Sequence, residues 1–281
     1  MLPIAVVCRS SDIDFPFLVR AVSAVQAQVT QQLVPVWNTP AAITPYQSLA
    51  EALKFAPLHS AFVYVTKDPN ANGGLHTKKD ANSPPEAVVK YTDDTLWTMT
   101  LSHEIIEMLV DPAGNWFLPG PDPNNLQEQA WFLVEVCDPC QGNHVELTEY
   151  PGIYLSDFCW PTFYDIGNGS RYCQSKLITT AFSISDGGYM IWRDASQDWY
   201  QRSSLSGSEN TLKIDPIDVK AGLGCGNLRG SLDRRDGNYA GPVMDKRKAR
   251  SLHEAAKVSA ISDQRESRKK RIRASLKRLG V

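Results

Sequence analysis

Residues 95–110, "TLWTMTLSHEIIEMLV", limit the possible folds of this chain more than any other stretch. Leu101, Ile105, Met108 and Leu109 recur at the spacing of one helix face, and Ile106 covers another side, so a buried helix is expected. That helix also carries His103, Glu104 and Glu107. Ionisable groups are costly to bury unless they are paired or bind a metal, so the rest of the chain must bring partners to them. Asp93 or Asp94 is placed to cap the helix start. Pro112 ends it, because proline lacks an N–H and clashes with the preceding turn.

Residues four apart on a helix share a face, so His103 and Glu107 can reach one point. An imidazole nitrogen and a carboxylate oxygen are both zinc ligands at about 2.0–2.2 Å. Glu104 is turned from His103 by about 100°, which sets it beside such an ion as a general base. The metal would acidify its water and the glutamate would take the proton. The spacing H-E-x-x-E also occurs on ordinary solvated helix faces. The apolar context and the Asp111-Pro112 stop weigh against that reading here.

The segment "SHEIIEMLVDP" is followed by "VEVCDP" at 134–139 and "LSDFCWPTFYD" at 155–165. Together they resemble an HExxE-type branch of the zincin-like metallopeptidases, a family with bacterial and phage members. The resemblance covers residues 1–165. It implies an α+β, zincin-like domain with a mixed sheet and a motif-bearing helix, a bound zinc ion and a peptide or protein substrate. By analogy with zincins that take a glutamate from a later element, Glu135 is the first candidate for the third ligand. Asp138 is next, and Asp111 and Asp157 are weaker candidates, as ligands or as groups that orient them. His144 and Tyr154 are candidate donors to the transition state; Tyr150 and Tyr164 share that reading with plain packing. The chain departs from the common zincin pattern in two places. Glu107 stands where a second histidine is usual, and no G-x-x-H follows, since positions 110 and 113 are Val and Ala. A carboxylate-rich ligand set weakens the preference for zinc and admits another divalent cation such as Mn or Ca.

Upstream, "LPIAVVCR", "LVPVWNT" and "SAFVYVTKDP" read as strands, with a helix from Asp12 to Leu33 and a shorter one in "YQSLAEALKFA". "DPNANGGLH" reads as a turn-rich loop, and "PEAVVKYTDD" as a strand placed at the sheet edge by Pro84 and Pro85. Further on, "WFLVEVCD" and "GIYLSDF" read as short strands. The expected organisation is a metal-binding domain over 1–165, a β- and loop-rich extension over 166–243 and a basic helical or disordered tail over 244–281.

Charge separates that tail from the body. Residues 246–281 hold thirteen Lys and Arg against three acids, leaving sixteen bases and twenty-eight acids in the other 245 residues. A basic run of this kind suits nucleic-acid phosphates or an acidic protein surface. It holds no aromatics, so stacking on single strands is not suggested. The beginning of the chain lacks the basic residues of a signal peptide, so a cytoplasmic or virion-associated location is expected. Cys137 and Cys140 form a lone CxxC that no second pair completes, and they are expected to be buried thiols. His59, His76 and His253 lie outside any motif and are expected to be structural or exposed. Two functions follow: metal-dependent peptide hydrolysis, or a non-catalytic assembly protein of zincin descent whose basic tail binds nucleic acid or partner subunits.

Overall fold

The computed structural model describes residues 1–68, 73–78, 82–167 and 169–214. The basic tail and the glycine-rich stretch before it, with the expectations placed on them, lie outside the described residues.

The chain builds a mixed α/β fold around two five-stranded sheets. Strand β1 (Leu2–Cys8) is followed by helix α1 (Phe15–Gln28), whose first turn is capped by Asp14 accepting from the Phe17 N–H. A π-helical turn over 29–33 leads into the short helix α2 (Val34–Trp37), closed by Asn38 in the left-handed region at φ 54°. "LVPVWNT" is therefore helical at its start, not a strand. Pro35 falls in the first turn of α2, where its missing N–H has no helical partner to lose. The second strand, β2 (Ala41–Tyr46), comes after it. Helix α3 (Leu49–Phe55) is capped by the Ser48 side chain, and β3 (Ala61–Thr66) follows.

Next come β4 (Gly74–Thr77) and β5 (Glu86–Lys90). The first sheet runs β2-β1-β3-β5-β4, with all neighbours parallel except β4, which is antiparallel to β5. This reverses an expectation. β5 is an interior strand, and the edge is β4, from a segment whose glycines and asparagines read as loop. Pro84 and Pro85 precede β5, so its ladder keeps its N–H groups.

Helix α4 (Trp97–Val110) carries the motif and packs against β4 and β5. Asp94 accepts from the Leu96 N–H just ahead of it, and Asp111 closes it before Pro112. Leu101, Ile105, Ile106 and Met108 are fully buried. At about 1.5–3 kcal/mol each, they offset the cost of taking the charged residues inside.

The second sheet is antiparallel, in the order β12-β11-β10-β7-β6. Its strands are β6 (Phe117–Asp122), β7 (Asn125–Leu133), β10 (Tyr189–Arg193), β11 (Trp199–Leu205) and β12 (Ser208–Ile214). It draws on both sides of residue 165, where the stretch covered by the resemblance ends. Between β7 and β10 lie the small pair β8 (His144–Val145) and β9 (Leu155–Ser156), and a short 3-10 turn over Asp138–Cys140. One continuous apolar cluster joins both sheets and α4. No described helix is long and apolar enough to cross a membrane.

Candidate metal centre

Three hydrogen bonds from the motif helix and one from α1 hold the loops after β7 in place. The Thr98 hydroxyl donates to the Tyr154 carbonyl (2.7 Å), and the Ser156 N–H donates to the Ser102 hydroxyl (2.6 Å). The Cys137 N–H donates to Glu107 Oε1 (3.0 Å), and Gln28 Nε2 donates to the Ser156 carbonyl (2.8 Å). Val134–Asp138 thus crosses the face of α4 that carries His103 and Glu107.

His103 Nε2 lies 3.0 Å from Glu107 Oε2 and 3.4 Å from Asp138 Oδ1. Glu104, Glu107, Asp111, Glu135 and Asp138 are all at least nine-tenths buried, and so is His76. Three sets of ligand atoms lie mutually within 4.8 Å: His103, Glu107 and Cys137; His76, Glu104 and Glu107; Glu107, Glu135 and Asp138. Glu107 belongs to all three. Both Glu135 oxygens are buried with no donor. The metal-free way to satisfy them is a proton shared with Glu107. A water-sized cavity, lined by Glu135, Asp138 and Tyr164 among apolar neighbours, opens beside them, and the Tyr164 hydroxyl is also buried without a partner.

Electrostatics follows from this crowding. Burial raises the Glu135 carboxyl well above the usual carboxylate range, and Glu107, Asp138 and Asp111 push it further. Burial would raise Glu107 too, but His103 and then His76 outweigh it and hold Glu107 down to about 2. For His103, burial lowers the imidazole, while Glu107, Asp138 and Glu104 more than reverse it and leave it well above its ordinary value. His76 is raised in the same way, against its burial, by Glu104, Glu107 and Asp111.

The expected ligands His103, Glu107 and Glu135 come together around Glu107, with Glu135 grouped with Asp138 rather than directly with His103. Asp111 accepts from the Trp116 N–H (2.7 Å) and caps the turn after α4. Asp157 is fully buried, and its carboxylate is occupied by the Phe158 N–H and by the N–H and hydroxyl of Ser175. His144 and Tyr154 meet edge to face at 5.0 Å, with Glu146 beside them. Glu104 turns toward the edge strand, where its Oε2 is 3.3 Å from His76 Nδ1.

His76 is the residue that sequence reasoning missed. It sits on β4, with Nε2 3.2 Å from the Asp111 carbonyl. The signal for it is faint: two glycines ahead of a short Leu-His-Thr alternation. Gly74 is required there, since a Cβ would collide with Glu104 and come within 2.6 Å of Thr100 Cγ2. Cys137 is a buried thiol, as expected, and it also falls within reach of His103 and Glu107. No family model, curated protein or solved structure matches the chain.

Proposed function

We propose that this chain is a zincin-like, metal-dependent hydrolase acting on peptide bonds. Glu135 carries the reading: a buried carboxyl whose oxygens receive no donor, facing Glu107 and Asp138. An acid left so is costly to bury, and a divalent cation is the partner that suits it. His103, Glu107, Glu135 and Asp138 would hold the ion, with zinc first and another divalent cation as the alternative given so many oxygens. The mixed sheet with its antiparallel edge strand beside the motif helix supports the zincin-like assignment.

When bound, the metal supplies an acidified water and a polarised carbonyl. The protein's own residues do the rest. Glu104, next to His103, takes the proton from the attacking water. Glu107 fixes the His103 ring through the 3.0 Å contact, and the buried Tyr164 hydroxyl is a candidate donor to the developing oxyanion.

The test is elemental analysis after gel filtration, beside hydrolysis of a mixed peptide pool. The wild-type chain is expected to keep a divalent metal and cleave peptides. His103→Ala should lose the ion at His103, and Glu104→Gln should keep that ion but not cleave. Metal-free wild-type protein, or metal unaffected by His103→Ala, would overturn the reading.

The charge of residues 246–281 supports a second reading, an assembly protein that binds nucleic acid or subunits through its tail. Deleting the tail should then abolish retention on DNA while leaving metal content unchanged.

A further inference from the structure

The three overlapping ligand sets all pass through Glu107, and no set contains both histidines. An ion about 2.1 Å from each ligand spans at most about 4.2 Å between ligand atoms, and a tetrahedral one sets ligand edges of about 3.4 Å. His103 Nε2 meets that edge with Glu107 Oε2 at 3.0 Å and with Asp138 Oδ1 at 3.4 Å. On the other side, His76 Nδ1 meets it with Glu104 Oε2 at 3.3 Å, and Glu107 Oε2 lies 4.0 Å away. The same Glu107 oxygen is thus shared between two histidines that come from different elements, α4 and β4.

We propose that the centre is dinuclear, with a second divalent cation held by His76, Glu104 and Glu107, and with the Glu107 carboxylate bridging it to the ion at His103. The inference rests on the metal-dependent reading above. It changes one role there: with both sites filled, Glu104 would serve as a ligand through Oε2 and no longer as the base.

Two observations beyond proximity support it. First, the Nε2 edge of His76 faces the Asp111 carbonyl at 3.2 Å, an acceptor only, so Nε2 carries a hydrogen and Nδ1 is the atom turned toward the two carboxylates. A metal-binding histidine is held in this way, its far N–H given to a backbone carbonyl. A hydrogen or a cation between Nδ1 and the carboxylates joins the three, and a divalent ion would take the proton's place. Second, two ions bring the charge close to balance. With both imidazoles neutral as ligands, the five buried carboxylates (Glu104, Glu107, Asp111, Glu135 and Asp138) are left at −1 after two divalent ions.

The experiment counts ions. The full chain is stripped with chelator and titrated with Zn2+ alone, and bound metal is measured by native mass spectrometry and elemental analysis. The expected result is two ions per wild-type chain and one per chain in both His76→Asn and Glu104→Gln. With Co2+ as the probe, the paramagnetic signal should be damped by coupling at two equivalents in wild type and restored in Glu104→Gln. Glu104→Gln is nearly isosteric, so it keeps the test valid should His76→Asn fail to fold. One ion per wild-type chain, unchanged in Glu104→Gln, would overturn the second site while leaving the first intact. No bound ion at all would sink the metal reading itself.

Discussion

Replacing Glu135 by Gln should raise stability without metal and cut the stabilisation that zinc brings. In the metal-free protein both Glu135 oxygens lie buried without a donor, and the carboxyl is raised well above its usual range. A glutamine of the same shape brings an NH2 group that can donate to Glu107 or Asp138. Relieving one unsatisfied buried group is worth about 1–3 kcal/mol. At about 2–4 °C per kcal/mol for a domain of this size, Tm in EDTA should rise by about 2–12 °C. With zinc the variant's advantage should shrink by about 2.3 kcal/mol. Free zinc at a hundredfold excess over Kd stabilises wild type by about 2.7 kcal/mol. If the substitution weakens binding a hundredfold, the same zinc adds only about 0.4 kcal/mol. Thermal melts followed by circular dichroism at pH 7.5, in EDTA and in zinc, read both halves. A lower Tm in EDTA for Glu135→Gln would mean that the carboxylate has a structural partner. An undiminished zinc-induced shift would remove it from the metal site, and either result would refute the reasoning.

Three further outcomes are expected. In EDTA, stability should fall as pH rises from about 5 to about 9. Glu135, His103 and His76 are all raised above their ordinary values of 4.5, 6.5 and 6.5, so the folded state keeps protons that the unfolded state has released. The slope is up to about 1.4 kcal/mol per pH unit for each such proton; Glu107, held down to about 2, acts with opposite sign only below 4.5. Zinc competes with those protons, so the zinc-induced rise in Tm should grow with pH, and melts across that range with a flat or inverted trend would contradict it. Gly74→Ala should cost about 1–3 kcal/mol in chemical denaturation and lower metal affinity, because a Cβ there meets the Glu104 and Thr100 side chains. Ser175→Ala should also destabilise by about 1–3 kcal/mol, by stripping the buried Asp157 carboxylate of a donor, but should leave metal content untouched, since Asp157 is spent on the loop after β9.

The motif helix was legible because its information is local: apolar residues at helical spacing, an aspartate ahead of it and a proline behind it. His103 and Glu107 needed only the pitch of a helix to be placed together. Glu135 and Asp138 reach them because Cys137 hydrogen-bonds Glu107 across thirty residues of chain, and the acidic run "VEVCDP" hinted at that contact without fixing it. His76 was hidden because nothing local marks it. Its role comes from β4 pairing at the sheet edge beside α4, and β4 itself is four residues with a glycine at its start. The helical reading of Val34–Trp37 was lost for the opposite reason. Alternating valines and a proline look like a strand, while the helix before them runs on through a π-turn whose buried Val29 and Leu33 settle the matter by packing.

Zinc titration of stripped Glu107→Gln beside wild type tests the centre most directly, because that carboxylate is common to every set of ligand atoms around it. The expected result is zinc bound and retained through gel filtration by wild type, with affinity at least about a hundredfold weaker in the variant, at the upper end of losses at a metal site. Equal zinc affinity and occupancy in the two proteins would contradict the assignment of this cluster as a metal centre.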